Sequence, residues 1–91
     1  MNAEWKLFAD LAEVAGDRHV TVDFDGATVG AALDALLVDH PALEDRVLDD
    51  DGSLHDHINV LRNGQTVDDL DAAVEDGDEL ALFPPVSGGT A

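Results

Sequence analysis

The segment Phe83-Pro84-Pro85-Val86-Ser87-Gly88-Gly89 can do chemistry with its backbone rather than with its side chains. Pro84-Pro85 favours a stiff, extended exit from whatever precedes it. Ser87-Gly88-Gly89 carries no bulky side chain, so its backbone can enter a narrow channel and approach a nucleotide closely. A terminal carboxylate presented in this way can attack the α-phosphate of ATP. The acyl-adenylate that results then yields to a sulfur or amine nucleophile. Thr90-Ala91 follow Gly89. While they are attached, Gly89 is an amide without a free carboxylate, so chemistry at this glycine requires their removal. Gly-Gly in an exposed tail is an accessible cleavage site. Gly-rich chain ends are also commonly frayed, so two glycines alone do not decide between a reacting terminus and a loose one.

Other chemistry-bearing groups form weaker patterns. His55, Asp56 and His57 resemble a metal corner, but on a strand Asp56 points away from the two histidines, and a metal site needs three or four converging ligands. The run Asp49-Asp50-Asp51-Gly52 suggests a calcium loop. In that register, however, the first ligand position falls on Val47 and the closing glutamate position on Ile58, so it reads as a hydrated turn. Ser53 and Ser87 could pair with His19, His40, His55 or His57, but neither serine sits in a strand-to-helix elbow. No glycine-rich phosphate loop precedes a helix. The sequence therefore offers no catalytic residue and no metal ligand set. The chain has no cysteine, which excludes disulfides and thiolate metal sites.

The chain's 91 residues suffice for one domain. No apolar run approaches the ~20 residues a membrane helix needs. The opening Met1-Asn2-Ala3-Glu4-Trp5 lacks the pattern of a secretory signal, so the expected location is the cytoplasm. Twenty-one acidic residues against four basic ones give a net charge of −17. Such a surface repels nucleic acid and anionic membranes. The acids are spread along the whole chain rather than gathered in a block, which points to adaptation to a high-salt cytoplasm more than to a dedicated site for a basic partner.

The hydrophobic pattern supplies the elements that must hold the tail. Trp5 and Leu7 alternate with Glu4, Lys6 and Phe8, which predicts an opening strand. Residues 10–16 read as a short helix, with Asp10 as cap, Glu13 completing a capping box and Gly16 closing it. Val20, Val22 and Phe24 mark a second strand. Thr28 caps the main helix, whose buried stripe is Val29, Ala32, Leu33, Leu36 and Leu37, and Pro41 stops it. Leu43, Val47 and Leu48 fit a helical turn. Ile58 and Val60 lead into Asn63-Gly64, the favoured pair for a two-residue hairpin. Asp76-Gly77 turns the chain into a last strand in which Leu80 and Leu82 face inward, and Pro84-Pro85 end it. One main helix across a sheet is an α+β arrangement. If Trp5, Leu7, Ile58, Val60, Leu80 and Leu82 face that helix, then Phe8, Leu61, Ala81 and Phe83 face outward. An apolar patch rimmed by charge often marks a partner site.

Four segments, Leu7–Gly16, Thr28–Leu37, His57–Gly64 and Asp76–Gly89, resemble in order the ubiquitin-like β-grasp sulfur carriers. That family includes the small subunit of molybdopterin synthase, the thiamine sulfur carrier and the small archaeal ubiquitin-like modifiers, and the last branch is the most similar. The resemblance spans residues 4–89. It implies a β-grasp domain over residues 1–83, with a mixed sheet of four to five strands on one main helix, and a C-terminal tail over 84–91. It also implies that Gly89, preceded by Gly88, is the reacting terminus, adenylated by an enzyme of the ubiquitin-activating type. Two fates follow. A thiocarboxylate delivers sulfur to molybdopterin or to tRNA thiolation, whereas an isopeptide bond joins the terminus to a lysine of a target protein. The alternative role is a dedicated small subunit of molybdopterin synthase, partnered by the large subunit. Phe8 and Phe83, with Leu61 and Ala81, would dock the partner, and a metalloprotease would trim Thr90-Ala91. ATP and Mg²⁺ belong to the activating enzyme, so no cofactor is assigned to this chain. Lys6, the one lysine, would be the acceptor if copies were joined to one another through a side chain.

The charge has a direct consequence for stability. Self-repulsion is screened over ~3 Å at 1 M salt but reaches ~30 Å at 0.01 M. The thermal midpoint should therefore climb between low and multimolar salt, and a flat midpoint across a salt series would overturn the high-salt reading.

Overall fold

A computed structural model describes residues 1–51, 54, 58–67 and 69–83. Strand β1 (Asn2–Leu7) leads to helix α1 (Asp10–Ala15), strand β2 (His19–Asp23) and helix α2 (Val29–Asp39). A 3-10 turn (Pro41–Leu43) and helix α3 (Glu44–Val47) follow, then strands β3 (Asn59–Arg62), β4 (Gln65–Val67) and β5 (Asp78–Phe83). The five strands form one sheet in the order β2-β1-β5-β3-β4. β1 and β5 pair in parallel at its centre, and the other pairs are antiparallel. This is the mixed sheet that the β-grasp resemblance implies.

The core lies between the sheet and α2. Trp5, Leu80 and Leu82 are fully buried on the sheet side, and Val29, Ala32, Leu33 and Leu36 on the helix side. Each such side chain contributes about 1.5–3 kcal/mol by leaving water. The indole N–H of Trp5 donates to the Ala32 carbonyl at 3.1 Å, which fixes the height of the helix over the sheet. Val47 and Leu43 close the core at the far end of α2. Leu48 packs half-buried against the same core as expected, but in extended backbone just past the helical turn, where it bridges Leu54.

The main helix starts as its sequence predicts. The Ala31 amide donates to the Thr28 hydroxyl at 3.1 Å. Its other end amides are met by the segment after β4, a feature the pattern did not reveal. Val29 and Gly30 N–H donate to the carbonyls of Ala72 and Leu70 at 2.9 and 2.8 Å. A Cβ on Gly30 would lie 3.2 Å from the Leu70 oxygen, so glycine is what permits that close approach. Val74, from the same segment, joins the core.

The capping expectation at α1 is corrected. Asp10 is the first helical residue and makes no cap; Ala9 holds the cap position without a side-chain bond. The chain reverses over residues 8–11, with the Leu11 amide donating to the Phe8 carbonyl at 3.2 Å, and this turn places Asp10 inside the helix. Its carboxylate instead accepts from Arg46 Nη1 at 2.7 Å, tying α1 to α3. Gly16 ends α1 at φ 83°, as expected.

Asn63-Gly64 forms the hairpin turn, both residues having positive φ (50° and 86°). The Asn63 side chain helps build a network on Asp78, the one buried charged residue among those described. The Asp78 carboxylate accepts from Arg62 Nε at 2.5 Å, from Glu75 N–H at 2.8 Å and from Asn63 Nδ2 at 3.0 Å. These bonds, led by the Glu75 amide, hold its pKa below the ordinary 3.8 against the opposing effect of burial. A carboxyl with a depressed folded pKa stabilises the fold above its unfolded value. That contribution disappears as pH falls through the folded value. Asp78→Asn should therefore cost about 1.5–3 kcal/mol at neutral pH, and the gap to the parent should close below about pH 4. Urea melts of both proteins from pH 7 to pH 2 check this.

Candidate functional site

The site is built on the face of the sheet that α2 does not cover. Strand alternation sends Trp5, Leu7, Leu80, Leu82 and Val60 into the core and leaves the intervening residues on the other side. Register then aligns them. Lys6 stands opposite Ala81, Ala81 opposite Leu61, and Leu61 opposite Thr66, in one row across four strands. Leu61 and Ala81 are half-buried within that row. At the end of the sheet, Phe8 follows directly after β1, and Phe83 is the last residue of β5, opposite Asn59.

Phe8 and Phe83 are brought together by the parallel register, which ends with Leu7 opposite Leu82. Their rings stack with centroids 4.1 Å apart and planes 10° from parallel. Phe8 remains 38% exposed. A stacked pair of this kind is worth about 0.5–1.5 kcal/mol beyond its burial. It also holds two apolar anchors in one orientation before any partner arrives, which lowers the ordering cost of docking. The four outward residues expected from the sequence thus occupy one continuous strip, Phe8–Phe83–Ala81–Leu61.

Charge rims the strip. Lys6 Nζ lies 2.9 Å from Glu79 Oε1, linking neighbouring strands on the same face. His19 Nδ1 lies 4.0 Å from Glu4 Oε2 at the β2 side. The pairing of Lys6 with Glu79 was not read from the sequence, because it depends on which strands become neighbours.

Ala9 is a second feature that the sequence concealed. It sits at φ 54°, ψ −132°, immediately after Phe8. This is the first central position of a type II′ turn, a place for glycine. An alanine there carries roughly 1–3 kcal/mol of backbone strain. The turn sends the chain away from β1 into α1 while Phe8 stays on Phe83.

Gly88, Gly89 and the following Thr90-Ala91 lie outside the described residues, as do Pro84, Pro85, Ser87, Ser53, His55, Asp56 and His57. The place from which the tail departs is nonetheless set. Gly89 is six residues beyond Phe83, so whatever its conformation it lies within roughly 20 Å of the aromatic pair. Among the described residues, no helix is long and apolar enough to cross a membrane.

Residues 5–89 match the ThiS family. Small archaeal modifier protein 1 of Haloferax volcanii is 72% identical over 87 residues, covering 94% of this chain and 99% of that protein. The molybdopterin synthase sulfur carrier subunit of Escherichia coli is 37% identical over 85 residues, covering 91% of this chain and 94% of its own length. Among solved structures, that of the Haloferax volcanii modifier superposes with a TM-score of 0.92 at 70% identity, over 98% of this chain and 100% of the other. A BexX/CysO complex from Amycolatopsis orientalis gives a TM-score of 0.79 at 31% identity, over 96% and 99%. These relatives are named as modifiers or sulfur carriers, and in the last structure the related chain is held by a protein partner.

The strain at Ala9 is directly measurable. Ala9→Gly should raise stability by about 1 kcal/mol, seen as a rise of about 4–8 °C in the thermal midpoint. A fall would mean that the turn is unstrained.

Proposed function

The chain belongs to the ThiS family, and from that membership we propose that it is a ubiquitin-like protein modifier and sulfur carrier whose reacting group is the Gly89 carboxyl. In this reading the protein is the substrate of other enzymes, not a catalyst, and it works in the cytoplasm. A protease, of metalloprotease type, hydrolyses the Gly89–Thr90 bond and frees the carboxylate. An adenylating enzyme of the ubiquitin-activating type supplies ATP and Mg²⁺, and the carboxylate attacks the α-phosphate with release of pyrophosphate. The acyl-adenylate then takes one of two courses. Sulfur displaces AMP to give a thiocarboxylate, or the carbonyl passes to a lysine amine of a target and forms an isopeptide bond.

The observation that carries this reading is the similarity to the Haloferax modifier over nearly the whole of both chains. The geometry supports it: the stacked Phe8–Phe83 pair marks the end of the sheet from which the tail leaves. Docking there would keep the enzyme within the span of six residues from Gly89, and Leu61 and Ala81 extend the apolar contact. The small size of Gly88 and Gly89 lets the backbone pass to the nucleotide without a side chain in the way. The likeness to the molybdopterin synthase sulfur carrier subunit favours a second course for the same terminus, in which a synthase large subunit takes the sulfur for the molybdenum cofactor.

Mass spectrometry of the protein recovered from its own cells separates these fates. Molecules ending at Gly89, a fraction of them with one oxygen replaced by sulfur, are expected for carrying. Gly-Gly remnants on lysines of many proteins are expected for modification. Intact Thr90-Ala91 on every molecule, with no adducts, would exclude both. Deleting Gly88-Gly89 should abolish both outcomes and leave the thermal midpoint nearly unchanged.

A further inference from the structure

Lys6 is the only lysine in the chain, and the fold places it at the border of the docking strip, directly beside Ala81, rather than on a remote surface. It stands opposite Ala81, which in turn stands opposite Leu61. Phe8 follows two residues later on the same side. The Lys6 side chain is 34% exposed, and its Nζ is held 2.9 Å from Glu79. A partner that covers Phe8, Phe83, Ala81 and Leu61 therefore covers Lys6 too. The converse is equally strict. An acyl group on Nζ removes the positive charge, takes from Glu79 the ammonium it pairs with, and sets new bulk directly beside Ala81 and the strip. Burying that carboxylate without its cation would be costly.

We propose that Lys6 is a regulatory acylation site at which attachment of the carboxyl-terminal glycine of a second copy switches off docking of the activating enzyme. The inference rests on the function proposed above. In the covalent step, the unprotonated Nζ attacks the carbonyl of the second copy's acyl-adenylate. The N–C amide bond forms, the C–O bond to phosphate breaks, AMP leaves, and nitrogen gives up one proton to solvent. No electrons are transferred to or from a redox partner. The modified copy keeps its own tail but can no longer present it. Pairs joined through Lys6 in advance are thus dead ends. A chain of copies on a target grows only by adding newly activated copies to one already attached.

The test installs Nε-glycylglycyl-lysine at position 6, reproducing the linkage a second copy leaves, and separately the smaller Nε-acetyl-lysine. The substrate is the chain ending at Gly89, and ATP–pyrophosphate exchange by the cognate activating enzyme is the readout. Val38, 78% exposed on α2, supplies the control as Val38→Lys acylated in the same way. Both acyl groups at position 6 should lower kcat/KM by about ten-fold or more, the size of a lost interface anchor, with the loss in KM and the thermal midpoint unchanged. The Val38 control should retain full exchange. Undiminished exchange with either acylated Lys6, alongside a large loss in Phe83→Ser, overturns the switch and leaves the docking face standing. Full exchange in Phe83→Ser overturns the docking face and the switch with it. Failure of the unmodified chain to be adenylated overturns the functional reading itself.

Discussion

The parallel pairing of β1 with β5 is the constraint on which the rest of the molecule depends. It joins segments from the two ends of the described chain, in register from Ala3 opposite Asp78 to Leu7 opposite Leu82. Parallel strands cannot be joined by a tight turn, so everything between them must serve as a crossover. That crossover supplies β2, α2 and β3. The pairing also decides the functional surface. It sets Trp5 beside Leu80 beneath α2, and it brings Phe8 to Phe83 on the opposite side. A slip of β1 by one residue would turn that strand over, exposing Trp5 and Leu7 and burying Lys6.

Electrostatics divides the molecule differently. With a net charge of −17, most of the surface resists close contact with anything acidic. Three of the four basic side chains have a definite task. Arg62 holds Asp78 at the start of the central strand β5, Arg46 ties α3 to α1, and Lys6 neutralises Glu79 beside the apolar strip. The strip is thus the part of the outer face where aromatic surface and a compensated charge coincide. A partner can desolvate it without leaving an unpaired ion behind.

Most of the fold was legible because its signals are local. Alternation placed Val20, Val22, Leu80 and Leu82 in the core, helical spacing placed Val29 through Leu37, and Asn63-Gly64 marked its own hairpin. Phe8, Leu61, Ala81 and Phe83 followed from the same alternation applied to the other face. What escaped depends on neighbours remote in sequence. No spacing rule pairs Lys6 with Glu79 or Arg62 with Asp78, since those contacts exist only once β5 lies between β1 and β3. Asp10 looked like a cap because its residue type and Glu13 fit the motif. The turn through Ala9 moved it one position into the helix, and nothing in an alanine announces a glycine's conformation. The docking of residues 69–74 on the start of α2 was hidden for the same reason: it is made by carbonyls, which every residue has.

The direction of the central pair also has a mechanical side. β5 delivers the tail at one end of the sheet, while its parallel neighbour β1 begins at the other. Tension between the tail and the first residues acts along the ladder and loads its hydrogen bonds side by side. An antiparallel pair pulled from adjacent ends would instead open like a zipper. Loaded between the tail and the first residues, the clasp from Ala3–Asp78 to Leu7–Leu82 is oriented in shear and gives way only as a unit.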